Sequence, residues 1–270
     1  VSEINTDDAL EVALAAAIEA GKVLLGFADQ MSERPEFEES ETWTKSSGRD
    51  LSTAADLAAE RAIVARLREA FPDVPIEAEE ETSDARSKGP RWFVDPLDGT
   101  INFVHGLPMY CVSIALYIDD VPEVGVVYLP RLGETFHAIR GEGAFHDGRR
   151  IHVSDAAGLS DGVLATGFPY RRGELEHDNL ANFGEVFYDI RGIRRMGSAA
   201  VDLAYTAAGR LDGYWELHLS PFDLAAGALL VREAGGVVTD ADGKEDWLRG
   251  GHIIAAGPAV HAALLGRIKH

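Results

Sequence analysis

The 270-residue sequence predicts an α+β first half joined to an α/β second half, with the change near residues 153 and 154. Three observations carry this expectation. Between Tyr110 and Val153, apolar β-branched runs alternate with glycine and aspartate turns, the pattern of an antiparallel sheet. After Ser154–Leu159 the rhythm becomes alternating strand and helix, which implies a partly parallel sheet covered by helices. No internal repeat, low-complexity tract or obvious linker intervenes, so residues 1–153 and 154–270 are expected to form two subdomains sharing an interface.

Each element has a local reason. From Asp7 to about Phe27, Leu10, Leu14, Ile18, Val23 and Leu25 recur at near-helical spacing in an alanine-rich segment, and Asp7 and Asp8 suit its first turn. Residues 28–44 carry an acidic run around Pro35, expected as a loop or hairpin. A glycine-containing turn ends at Asp50, a fitting helix-entry cap, and a helix follows from about Ser52 to Ala70. Phe71-Pro72-Asp73 stops it, and Pro75-Ile76 begins a short strand running into Glu77-Ala78-Glu79-Glu80-Glu81. Tyr110–Ile118 and Val121–Leu129 flank Asp119-Asp120 as a hairpin, followed by strands at Glu134–Ile139, Gly143–Phe145 and Ile151–Val153. The second half reads as strand Val163–Thr166, helix Glu176–Val186, strand Ile190–Arg194, helix Ser198–Ala208, strand Gly213–Leu217 and helix Pro221–Ala234. Strands near Val237-Val238 and Ile253–Ala255 and a closing helix Ala259–Ile268 complete it.

Composition narrows the function classes. A formal net charge of -20 argues against general binding of nucleic acid or anionic membrane. No window approaches an apolar membrane span, and the first ten residues lack a signal-peptide layout. Cys111 is the single cysteine, which excludes an internal disulfide and fits a reducing compartment, so a cytoplasmic location is expected. Cys111 itself is expected as a packed core residue. Lysine occurs only at Lys22, Lys45, Lys88, Lys244 and Lys269; this acid-rich, lysine-poor balance fits either a high-salt habitat or plain solubility charge.

The chemistry concentrates in Trp92–Pro108, WFVDPLDGTINFVHGLP. An apolar strand end delivers Asp95, Pro96 forces the chain out of the strand, and Gly99 frees a turn before Thr100 opens a short helix. Two carboxylates on such a turn can converge on a hard cation, and amides at a helix start welcome an anion. D-P-x-D-G is also good turn chemistry on its own. Arg195-Met196-Gly197-Ser198-Ala199-Ala200 repeats the strand, small-residue turn and helix start, which suits an anion, a hydroxyl-rich ligand or simple close packing. In Ser220-Pro221-Phe222-Asp223 the acid either caps its own helix or reaches a ligand. Glu79 gains meaning if its strand lies beside Asp95.

These pieces together resemble the inositol monophosphatase family of metal-dependent phosphatases, through Ala78-Glu79-Glu80, Asp95-Pro96-Leu97-Asp98-Gly99-Thr100-Ile101-Asn102-Phe103, Gly197-Ser198-Ala199 and Pro221-Phe222-Asp223-Leu224-Ala225-Ala226-Gly227. Phe222 stands where the family usually has Trp, and an aromatic packing role survives the change. The resemblance implies an αβαβα layered sandwich in which residues 1–153 carry most of the metal site and residues 154–270 complete it. It implies one Mg²⁺ on Glu79, Asp95 and the Leu97 carbonyl, a second on Asp95, Asp98 and Asp223, and a third helped by Glu79 through waters. Gly99 and Thr100 amides would grip the phosphate. Glu79 and the Thr100 hydroxyl would orient the attacking water, with Asp50 accepting from Thr100. Glu216 would bind substrate hydroxyls, with Gly197, Ser198 and Ala199 as neighbours. A small phosphorylated polyol or sugar as substrate, sensitivity to Li⁺ and a homodimer are implied as well.

The expected activity is Mg²⁺-dependent phosphomonoester hydrolysis, most readily of inositol 1-phosphate. A fructose-1,6-bisphosphatase would need cations such as Arg171, Arg172, Arg191 or Arg194 to reach a second phosphate. A histidinol-phosphate phosphatase, or a silent phosphate- or polyol-binding protein, would keep the same acids.

Overall fold

The protein is described here by a computed structural model covering residues 4–33, 42–44, 51–84 and 88–270. Two sheets dominate. The first has seven strands in sequential order: β3 (Ile76–Ala78), β4 (Pro90–Asp98), β5 (Cys111–Ile118), β6 (Val121–Leu129), β7 (Glu134–Ile139), β8 (Gly143–His146) and β9 (Arg149–Ile151). All its pairings are antiparallel except β3 with β4. The Asp119-Asp120 hairpin turn has positive φ at both residues, 49° and 64°, which matches the right-handed twist of the strands it joins. The second sheet places β11 (Gly192–Arg194), β10 (Val163–Thr166), β12 (Gly213–Glu216), β14 (Ile253–Ala256) and β13 (Val237–Thr239) side by side. Its first three strands are parallel and β14 runs antiparallel to both neighbours.

Alternation along the strands builds the layers, because successive side chains point to opposite faces. Trp92, Val94, Val112, Ile114 and Leu116 pack with helices α1 (Thr6–Glu33) and α2 (Ala54–Ala70) on the outer face of the first sheet. Phe93, Cys111, Ala115 and Tyr117 face inward, onto α5 (Ala199–Ala207) and α6 (Pro221–Glu233). Ala165, Tyr214, Ile253 and Ala255 meet the same two helices from the second sheet, while Leu164, Trp215, Ile254 and Ala256 face the outer helices α4 (Leu180–Phe187) and α8 (Pro258–Leu264). The stacking is the expected αβαβα sandwich.

Differences from the sequence reading have local causes. The first helix continues to Glu33, and Thr42–Thr44 (β1) pairs with Leu51–Thr53 (β2); the acidic residues Glu36, Glu38, Glu39 and Glu41 lie outside the described residues. The helix expected from Glu176 begins only at Leu180. Asn179, at φ 74°, donates its side-chain amide to Thr166 Oγ1 (2.8 Å) and the Gly167 carbonyl (2.6 Å) and accepts from Trp215 Nε1 (2.9 Å), so it belongs to the sheet edge. The last helix stops at Leu264 just before Gly266, at φ 86°. The short helix α7 (Trp247–Gly250) was not anticipated.

The middle helices sit close because glycine permits it. A Cβ on Gly125 of β6 would lie 3.0 Å from the Ala226 carbonyl oxygen, and one on Gly227 of α6 would lie 2.5 Å from Leu203 Cβ of α5. Gly227→Val should therefore force α5 from α6 and destabilise the fold by about 1–3 kcal/mol, read as a lower denaturant midpoint. An unshifted midpoint would mean that the helix layer accommodates volume freely.

Candidate metal and phosphate site

The acids converge because four elements end at one place. In the parallel β3–β4 pair Ala78 lies opposite Val94, and the Glu79 amide donates to the Val94 carbonyl at 3.2 Å, which sets Glu79 beside Asp95. Buried Glu60 of α2 holds the following turn by accepting from the amides of Glu80 (2.7 Å), Glu81 (3.0 Å) and Thr82 (2.8 Å). The acidic run is thus a built turn, not just a solvated loop. The β4–β5 register shifts between Asp95 and Asp98, at Pro96, which has no N–H to give the ladder. Asp98 Oδ2 accepts from Ser198 Oγ and the Ala200 amide, both at 2.7 Å, and so ties the turn to the start of α5. Asp223 is the third residue of α6, and its Oδ2 accepts from the Ser220 amide at 2.7 Å in a capping box. Carboxylate oxygens of Asp95, Asp98 and Asp223 come within 4.8 Å of one another.

A cleft of about 280 Å³ opens over these groups. Glu79, Asp95, Leu97, Asp98, Gly99, Thr100, Asp223, Gly197, Ser198, Ala199 and Glu216 all line it, so these expected site residues share one cavity. Gly99 turns the chain at φ 99°, where a Cβ would lie 2.9 Å from the Met109 carbonyl oxygen. Asn102 of the short helix α3 (Thr100–Val104) donates to the carbonyls of Met109 (2.5 Å) and Met196 (2.7 Å), locking the two turns together. Glu216 closes β12 above Gly167, whose missing side chain leaves room for the carboxyl, and it accepts from Tyr214 Oη at 2.6 Å.

Thr100 has a partner that the sequence reading did not name. Its hydroxyl lies 3.1 Å from Asp56 Oδ1 and 3.2 Å from the Leu97 carbonyl. Asp50, the partner expected from the sequence, lies outside the described residues; among the described residues the carboxylate that meets Thr100 is Asp56. Thr53 caps α2 and Asp56 completes the box, accepting from the Thr53 amide (2.8 Å) and hydroxyl (2.5 Å). The T-x-x-D spacing was the readable signal. Sequence reasoning also passed over Asp202 and treated Arg195 only as part of a turn; both line the cleft, and Arg195 is its sole Arg or Lys among the described residues. Arg171, Arg172, Arg191 and Arg194 do not line it, and Arg191 pairs with Asp161 at 2.9 Å. Cys111 is buried with Sγ 3.6 Å from Ser198 Oγ, and burial pushes its thiol well above the ordinary range.

Electrostatics make the cluster avid for positive charge. Burial raises Asp95 and Asp223 well above ordinary carboxylates, reinforced by Glu79, Asp98 and each other's neighbourhood. Asp98 is raised to about 6 by burial, held back by its Ser198 and Ala200 hydrogen bonds. Asp56 and Glu216 are each raised to about 7, again mainly by burial. Crowded hard oxygen donors of this kind fit a divalent cation of the Mg²⁺ class, which supplies the missing charge.

A stability prediction follows with a definite sign. These carboxyls have folded pKa values above their unfolded ones, so the native state binds more protons, and their contribution is full below about pH 4 and lost as pH rises toward 7. Chelator-treated protein should melt at a lower temperature at pH 8 than at pH 5.5. Saturating Mg²⁺ should remove most of that difference. A melting temperature that rises over this range without cation would show that the acids do not repel.

The family model described as "Inositol monophosphatase family" matches residues 5–269. An inositol-1-monophosphatase of Mesorhizobium japonicum is 44% identical over 222 residues, covering 82% of this chain and 83% of its own. A protein named Nus factor SuhB from Pasteurella multocida is 41% identical, covering 96% and 95%. Among solved structures, an inositol monophosphatase from Anabaena superposes with a TM-score of 0.87 at 39% identity, covering 98% and 96%. The geometry of the acids and these likenesses agree, and the chain belongs to the inositol monophosphatase family of phosphatases.

Proposed function

We propose that the protein hydrolyses a polyol monophosphate, with inositol 1-phosphate as the representative substrate, using Mg²⁺ ions. The observation that carries this reading is that one cleft is lined by Glu79, Asp95, Asp98 and Asp223 together with Glu216. Glu79, Asp95 and the Leu97 carbonyl would hold one Mg²⁺, and Asp95, Asp98 and Asp223 a second. When bound, such ions neutralise phosphoryl oxygens and make water a better nucleophile near neutral pH. The Gly99 and Thr100 amides would bind the phosphoryl group where α3 begins. Thr100 Oγ1 orients a water with its lone pairs, and Asp56, buried and raised to about 7, accepts the proton through that hydroxyl. No side-chain nucleophile is needed, in keeping with the buried, high-pKa Cys111. Glu216 accepts from substrate hydroxyls, and an acid there disfavours a second phosphate. The cations that a bisphosphatase would use, Arg171, Arg172, Arg191 and Arg194, lie away from the cleft lining. A cytoplasmic homodimer belongs to the same reading.

The test is phosphate release with Mg²⁺ from inositol 1-phosphate, fructose 1,6-bisphosphate and histidinol phosphate. Inositol 1-phosphate should be preferred; preference for the bisphosphate would replace this reading. Asp95→Asn and Asp223→Asn should each cut turnover by at least about a hundredfold with cooperative unfolding retained. Near-full activity in either would mean that the cation cluster is misassigned. Glu216→Gln should lower the ratio of kcat/KM for inositol 1-phosphate over an aryl phosphate by about tenfold. An unchanged ratio would remove Glu216 from substrate recognition.

A further inference from the structure

Asp202 is the acid that the reaction scheme leaves without a task. It stands one turn into α5, four residues after the Ser198 cap, in the otherwise apolar run Ala199-Ala200-Val201-Asp202-Leu203-Ala204. Its residue exposure is 2%, yet its side chain lines the cleft. Oδ1 is walled from solvent and has no hydrogen-bond partner among the described residues, which leaves Oδ2 as the oxygen that can face the cleft. A buried carboxyl oxygen without a donor is costly, and such an atom in a native structure calls for a ligand or a role. Glu216 acts on Asp202 more strongly than any other charged neighbour, with Asp98 next, so the two carboxyls form an acidic pole of the cleft beside Asp98. Glu216 has one oxygen engaged by Tyr214 Oη and the other available toward the cleft. Burial, then Glu216, raises Asp202 well above an ordinary carboxyl; Arg195 lies near enough to Asp202, Glu216 and Asp98 to oppose such a rise in part, and it makes no ion pair within 4 Å among the described residues.

What fits such a pole is a group rich in O–H donors and free of negative charge. We propose that Asp202 is a second hydroxyl acceptor, forming with Glu216 a two-carboxyl cradle for adjacent hydroxyls of the phosphorylated polyol. This rests on the polyol-phosphatase reading above and adds a residue to it. One acceptor can read a single hydroxyl; two on neighbouring elements, β12 and α5, read the spacing and direction of a vicinal pair. The cradle is built into the fold rather than carried on a loop. Glu216 is fixed by Tyr214 and by the space over Gly167, and Asp202 by the packed helix between the sheets.

The experiment compares inositol 1-phosphate with cyclohexyl phosphate, which lacks the ring hydroxyls, for wild type, Asp202→Ala and Asp202→Asn with Mg²⁺ present. Wild type should favour the hydroxylated substrate. Asp202→Ala should shrink that preference about tenfold, mostly through KM, and Asp202→Asn by a smaller factor because the amide keeps one acceptor. Thermal melting supplies the second readout: losing a partnerless buried acid should leave the melting temperature equal or higher. A wild-type preference that survives both variants overturns the role of Asp202 alone. Equal losses on both substrates with earlier melting show a structural acid and overturn it as well. A wild type that does not favour the hydroxylated substrate overturns the polyol reading and this inference together.

Discussion

Mutual repulsion among buried carboxylates is the constraint on which the rest of this structure depends. Asp95, Asp98 and Asp223 are brought together although burial and each other's charge oppose their ionisation. Such an arrangement persists only if the backbone leaves no easier geometry. Each acid is held by its own device: the Pro96 register shift for Asp95, the Ser198 and Ala200 donors for Asp98, and the α6 capping box for Asp223. The repulsion so stored is the affinity for cations.

Those devices work because the helix pair α5–α6 is clamped between two sheets. Tyr117 Oη of β5 donates to the Ala225 carbonyl at 3.0 Å, and Ser113 Oγ donates to the Phe222 carbonyl at 3.3 Å, fixing the first turns of α6 over the strand that pairs with β4. Gly125 and Gly227 let the layers approach. Asp98 reaches across to α5, so a ligand from the first sheet is oriented by a helix from the second half. The cleft is the place where these layers end together.

Polar groups beside the cluster extend the same logic. Asp56 completes a helix cap and also meets Thr100, so one carboxyl serves local folding and the reaction site. Glu60, one turn further along α2, uses both oxygens to hold the amides after Glu79. Glu216 and Asp202 also line the cleft, where Arg195 is the only Arg or Lys among the described residues.

By itself the sequence determined the layer types and most of the acid set. Strand alternation in Tyr110–Leu129, the strand–helix rhythm after Leu159 and the turn chemistry of Asp95–Thr100 are local properties, readable from propensity, periodicity and proline or glycine geometry. Asp223 at a helix start was visible for the same reason. Tertiary structure alone decided the partnerships. That Glu79 lies beside Asp95 depends on the parallel register of β3 and β4. That Thr100 meets Asp56 depends on packing α2 over β4, which brings together residues 44 positions apart in the chain. Asp202, which the sequence reading passed over, has Glu216 as its strongest charged neighbour only because α5 packs on the second sheet. Spacing along a chain constrains neighbours within a turn or a strand, whereas contacts across layers depend on which faces the whole core buries.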